Sequence, residues 1–201
     1  WAIAAAQALG GVPVPVYQDA IAEEMAYVID HAEARFAFAE DQEQVDKLLE
    51  IQARQPRLQR LIYKDPRGMR HYHQPQLQSY AALVEHGRVF DAAHADFYPG
   101  EVAQGKSSDI GIMLYTSGTT GKPKGVCQTH GAFIVAARGG VGFDRLGSDD
   151  SMLSYLPMAW VGDHLFSYAQ WLVAGFTINC PESGETVMTD MKEIGPTYYF
   201  A

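Results

Sequence analysis

Apolar positions in the first part of the chain alternate between helical and strand-like spacing. Ile21, Met25, Val28 and Ile29 recur every three or four residues between Asp19 and Arg35, which predicts an amphipathic helix, and Phe36–Ala39 follows as a short strand. The theme repeats from Asp41 to Gln55 with Val45, Leu48, Leu49 and Ile51 facing inward, ends before Pro56, and gives way to a strand over Leu58–Tyr63. Strands alternating with helices predict an α/β fold with a parallel sheet and right-handed crossovers. Ahead of this pattern, Trp1 to Leu9 is apolar enough for a buried helix stopped by Gly10-Gly11. Val12, Val14 and Val16 then alternate with prolines that cannot donate to a ladder, which predicts a short edge strand.

Farther along, helices are predicted over Leu77–Val84 and Arg88–Phe97, followed by a linker from Pro99 to Ser108 and a strand from Ile110 to Tyr115. A second strand is expected from Lys124 to Thr129, and a helix from His130 to Val141 with Thr129 as its cap. His130 reads as a local hydrogen-bonding residue at that helix start, with a catalytic base as the alternative. Ser151–Pro157 is a predicted strand, Leu165–Val173 a helix, Phe176–Asn179 a strand and Glu185–Ile194 a helix, and Pro196 opens the next β-α step. The pattern contains no internal repeat.

The candidate chemistry is concentrated between the two central strands, in Leu114-Tyr-Thr-Ser-Gly-Thr-Thr-Gly-Lys-Pro-Lys-Gly-Val126. Hydroxyls at Thr116, Ser117, Thr119 and Thr120 can donate to an anion, and Lys122 and Lys124 supply positive charge. Gly118, Gly121 and Gly125 let the backbone approach a ligand closely. This is a phosphate-holding loop, but not a Walker A loop. The glycine spacing is GxxGK rather than GxxxxGK[ST], and Pro123 follows Lys122, biasing that lysine away from helical geometry. The unit therefore reads as strand, loop, strand.

Composition narrows the classes. With 47% hydrophobic and 19% charged residues over 201 positions, the chain is globular rather than disordered. A formal net charge of −9 and dispersed basic residues argue against a nucleic-acid partner. No apolar run reaches the roughly 20 residues of a membrane span, and the Ala-rich opening lacks the basic n-region of a signal peptide. Cys127 and Cys180 have neither metal-ligand nor CxxC spacing and read as reduced, packed thiols of a cytoplasmic protein. His71 and His73 lack a third ligand in register, so their turn-rich stretch reads as a solvated loop, and no metal site is expected. A first helix and a last strand that begin and end inside apolar runs are expected of a segment of a longer protein.

Tyr115-Thr-Ser-Gly-Thr-Thr-Gly-Lys-Pro-Lys-Gly125 resembles the signature of the AMP-forming adenylating enzymes, which include acyl-CoA synthetases, luciferases and peptide-synthetase adenylation domains. The similarity extends to Ala8-Leu-Gly-Gly-Val-Pro-Val-Pro-Val-Tyr17 and Leu153-Ser-Tyr-Leu-Pro157. Gly195-Pro-Thr-Tyr-Tyr-Phe200 looks like the long-chain acyl-CoA synthetase branch. The resemblance implies that residues 1–201 are part of the large N-terminal AMP-binding domain, built from layered sheets with flanking helices and truncated at both ends, with the C-terminal domain absent. It implies activation of a carboxylic acid by ATP and Mg²⁺ through an acyl-adenylate, with transfer to coenzyme A. By motif position, Thr116, Ser117, Gly118, Thr119, Thr120, Gly121 and Lys124 would hold the β- and γ-phosphates, with Thr116 and Lys124 catalytic and Lys122 a solvated flank.

Related long-chain enzymes resemble LPLAHxxER where this chain has Leu156-Pro-Met-Ala-Trp-Val-Gly-Asp-His164. Trp160 stands where the family often has His, Asp163 where it has Glu, and His164 where it has Arg. Trp160 is a candidate flat wall of the carboxylic-acid pocket, with a core tryptophan as the alternative. The family's later motifs would lie past Ala201, so this segment alone is expected to form neither adenylate nor thioester. An adenylating enzyme with a non-CoA acceptor and a non-catalytic binding module stay open as other readings. A lipid substrate also leaves peripheral membrane contact of the whole enzyme open, and no oligomeric state is readable.

Overall fold

The computed structural model describes residues 1–116 and 121–200. The chain divides into two compact units, one comprising residues 1–11, 18–105 and 115–125, the other residues 12–17, 106–114 and 126–201.

The first unit carries the predicted β-α-β pattern. Helix α1 spans Ala2–Ala8, α2 Ala22–His31, β1 Phe36–Ala39, α3 Gln42–Ile51 and β2 Arg60–Tyr63. Strand β3 follows at Leu77–Ser79, α4 at Tyr80–Ala93 and α5 at Phe97–Gln104. The strands lie in the order β1-β2-β3, all parallel, with Phe36 opposite Arg60 and Leu61 opposite Leu77. The buried faces are those the spacing marks: Met25, Val28 and Ile29 on α2, Val45, Leu48 and Ile51 on α3, and Leu61 and Ile62 on β2. Each such side chain contributes roughly 1.5–3 kcal/mol of burial. Ile21, at the N-cap of α2, and half-buried Leu49 drop out of the core.

Four expectations for this unit are corrected. Helix α1 has no buried residue, and Trp1 before it is 95% exposed. Leu77 begins a strand rather than a helix, because its register with Leu61 extends the sheet. The Ser79 hydroxyl accepts the Ala82 N–H and starts α4 only at Tyr80, after which one helix runs through Gly87. That helix stops at Ala93, with His94 Nδ1 2.9 Å from the Phe90 carbonyl oxygen, and the stretch read as a linker is helical as α5. Pro99 is compatible with α5 because it falls in the first turn, where a backbone N–H would have no helical partner.

Strands β4, Ile110–Thr116, and β5, Lys124–Thr129, pair as a two-stranded sheet, and residues 115–125 belong to the first unit. In the second unit, α6 spans His130–Asp144 and starts where the Thr129 hydroxyl accepts the Ala132 N–H at 3.2 Å. Strand β6, Ser151–Leu153, lies parallel to β7, Thr177–Asn179. Between them come a short turn α7, Val161–Asp163, a π-helical stretch His164–Ala169 and α8, Gln170–Ala174. Helix α9 spans Val187–Ile194. Ile112, Leu114, Phe133, Ala137 and Ala169 form one buried cluster, flanked by Leu165 and Val173.

Here the corrections are local. Residues 12–16 form no strand; two of them are prolines lacking N–H groups, and the Met113 N–H of β4 donates to the Pro13 carbonyl at 3.0 Å. Strand β6 is three residues long, not seven, and the helix expected from Leu165 starts earlier with π-helical bonding. Cys127 and Cys180 are free but exposed rather than packed, Cys127 lying on a strand with little burial.

Candidate functional site

The loop that the sequence singles out is entered from β4 and left into β5. Thr116 closes β4 with its side chain exposed, and Lys124 opens β5, also exposed. Gly121 has φ +89°, which an L side chain rarely adopts, so glycine is required there. Ser117, Gly118, Thr119 and Thr120 lie outside the described residues.

Two side chains of α2 meet the ends of this loop. The Tyr27 hydroxyl donates to the Pro123 carbonyl at 2.9 Å, and His31 Nδ1 shares a 2.6 Å hydrogen bond with the Tyr115 hydroxyl. The Tyr27 and His31 rings stack at 5.5 Å, and Tyr115 sits edge-on to both, at 6.4 and 5.7 Å. Lys122 is exposed, with its Nζ 5.9 Å from the centre of the Tyr27 ring.

Trp160 belongs to the second unit. It is half-buried, 5.7 Å from the Phe200 ring, and it covers Gly162 so closely that a Cβ there would fall 2.0–2.4 Å from three indole carbons. Just behind it, Asp163 is buried and accepts the Ser154 hydroxyl at 3.0 Å and the Ser167 hydroxyl at 2.8 Å. Burial pushes the Asp163 carboxyl up, and the two hydroxyls oppose that rise. His164 is 3% exposed, between Phe133 at 4.7 Å and Tyr168 at 5.0 Å. Burial lowers its pKa to about 4, so the imidazole is neutral at pH 7. His130 packs its ring over Gly111, where a Cβ would lie 2.8 Å from Nδ1, in keeping with a local role.

Among the described residues no group of three or more His, Cys, Asp or Glu could hold a metal ion, and no helix is long and apolar enough to cross a membrane.

Residues 1–201 match the AMP-binding enzyme family. The chain belongs to that family. The long-chain-fatty-acid–CoA ligase ACSBG2 of Xenopus laevis is 30% identical over 179 residues, covering 86% of this chain and 23% of the relative. The long-chain-fatty-acid–CoA ligase FadD15 of Mycobacterium tuberculosis is 29% identical over 184 residues, covering 88% and 29%. The chain thus spans only about a quarter to a third of the length of these relatives. Among solved structures, an anthranilate CoA ligase, AuaEII, in complex with anthranoyl-AMP has a TM-score of 0.73 at 21% identity, covering 96% of this chain and 35% of the other. A putative long-chain-fatty-acid CoA ligase of Rhodopseudomonas palustris has the same score at 15% identity, covering 99% and 46%. These similarities show the family's α/β fold of sheets and flanking helices.

Sequence reading missed Tyr27, His31 and the serine partners of Asp163. The first two are four residues apart on a helix and so share a face, but nothing in the spacing says what that face meets. Ser154 and Ser167 converge on Asp163 only through the turn at Val161–Asp163 and the π-helical stretch that follows.

Proposed function

We propose that the full-length protein carrying this chain is an AMP-forming acid–thiol ligase acting on a long-chain fatty acid. The observation that carries the reading is family membership across residues 1–201, with the hydroxyl- and glycine-rich loop set between β4 and β5. The names of the relatives at 29–30% identity support the long-chain substrate.

In the proposed reaction the carboxylate oxygen attacks the α-phosphorus of ATP, forming acyl-adenylate and releasing pyrophosphate. The coenzyme A thiolate then attacks the acyl carbon and releases AMP. Two anions must be brought together in the first step, so cationic and N–H or O–H groups must offset their repulsion. Thr116, Ser117, Gly118, Thr119, Thr120, Gly121 and Lys124 are assigned to the β- and γ-phosphates, with Thr116 and Lys124 acting on the charge that develops there. Magnesium ion would accompany the nucleotide; among the described residues no group of three or more His, Cys, Asp or Glu is placed to hold it. ATP–pyrophosphate exchange by the full-length protein tests the reading. Exchange should require a long-chain fatty acid, and AMP release should then require coenzyme A; exchange without any fatty acid dependence would overturn the substrate, and no exchange with any acid the reaction.

Trp160 is assigned to the acyl pocket as an apolar wall. Trp160→Ala should shift the preferred chain length, since each extra buried CH₂ contributes about 0.8 kcal/mol. Gly162→Ala should shift it too, because its Cβ would force the indole off its present seat. An unaltered chain-length profile in both variants would make Trp160 a core residue only.

A further inference from the structure

We propose that Tyr27 and His31 are positioning residues that brace the two stems of the phosphate loop. The inference rests on the nucleotide reading of that loop given above. On the incoming side, His31 holds the Tyr115 hydroxyl at 2.6 Å, one residue before Thr116. On the outgoing side, Tyr27 donates to the carbonyl of Pro123 at 2.9 Å, one residue before Lys124. Thr116 and Lys124, the residues at the loop's edges assigned to phosphate binding, therefore each follow a braced residue.

The brace follows from the sequence of α2. Positions 27 and 31 are one helical turn apart, so their side chains stand on one face, and stacking at 5.5 Å fixes them relative to each other. Met25, Val28 and Ile29 bury the other side of the same helix, which gives the pair a rigid mount. The outgoing stem has few anchors of its own: Gly121 and Gly125 carry no side chain, and Pro123 has no N–H to donate. Its carbonyl is the group available for tethering, and Tyr27 takes it. Lys122, drawn toward the Tyr27 ring, is turned to the brace, which leaves Lys124 as the loop's other cation.

A brace of this kind acts on nucleotide affinity. If only a fraction of molecules hold the loop in its binding shape, apparent affinity falls by that fraction. Removing one neutral hydrogen bond corresponds to a change of about fivefold.

The test uses the full-length protein with Tyr27→Phe, which keeps the ring and loses the bond, and with His31→Gln and His31→Ala. Amide hydrogen exchange at Gly121, Lys122, Lys124 and Gly125 is measured without nucleotide, and KM for ATP and for the acid in pyrophosphate exchange. Tyr27→Phe should speed amide exchange and raise the ATP KM, each by about fivefold, with kcat and the acid KM unchanged. His31→Ala should do the same, and His31→Gln, which can still bond Tyr115, should restore most of the loss. Unchanged amide exchange in Tyr27→Phe, or an acid KM that rises with the ATP KM, would overturn the brace. A wild-type protein without pyrophosphate exchange would overturn the functional reading instead, and the amide exchange would then decide the brace by itself.

Discussion

Lys124→Ala in the full-length protein should slow fatty-acid-dependent ATP–pyrophosphate exchange by about 100-fold, the scale lost when one preorganised charge-stabilising group is removed from a transition state. Lys122→Ala should cost no more than about fivefold. Both lysines are exposed and separated by a single proline, so composition alone would treat them as equivalent. Their surroundings distinguish them. Lys122 is engaged with the Tyr27 ring, an interaction that is modest at an exposed site, whereas Lys124 opens β5 and is carried by a sheet. Equal losses in the two variants would refute the assignment of Lys124 to the phosphates. A loss in Lys124→Ala accompanied by a lower unfolding midpoint would point to a folding defect, and Lys124→Arg, which keeps the charge, separates that case.

What could be read from the sequence was set by periodicity, and what could not was set by contacts between distant residues. Phe36–Ala39 and Lys124–Thr129 stand as strands with the expected bounds, because each is a short run whose ends are marked by turn residues or charge. The Leu77 segment was misread for a physical reason. Its apolar spacing suits a helix, and only the neighbour Leu61, sixteen residues earlier, makes Leu77 a strand residue. The loop motif gave the family and the candidate site directly. The residues that hold the loop ends did not emerge, since Tyr27 and Pro123 are 96 positions apart. The same holds for Asp163, whose hydroxyl partners come from either side of a turn that the sequence reading left unassigned between a strand and a helix.

Acid should destabilise the second unit before it affects surface ion pairs. His164 has its pKa lowered from 6.5 to about 4 by burial, so as pH falls below 6.5 the unfolded chain takes up a proton that the folded chain refuses. Stability supplied by the neutral, buried ring is complete above pH 6.5 and is lost progressively down to pH 4, where both states are protonated and the slope ends. A displacement of this size corresponds to about 3 kcal/mol. Asp163 works in the other direction. Burial raises its pKa from 3.8, so protonation relieves a buried charge as pH falls through its folded value, and this offsets part of the loss toward the acid end. Glu23 beside Arg54 and Asp65 beside Arg67 have lowered pKa values, so their stabilising effect is lost only below their unfolded values of 4.5 and 3.8. Between pH 6.5 and 4.5 these two ion pairs are intact, and comparison with His164→Gln separates the histidine from Asp163. Urea unfolding of the full-length protein, followed by amide exchange in α6 and α8, should show stability falling across that window. His164→Gln should flatten the slope, whatever it does to stability at pH 7. A slope in His164→Gln equal to that of the wild type would show that the histidine is not held neutral by its burial against Phe133 and Tyr168.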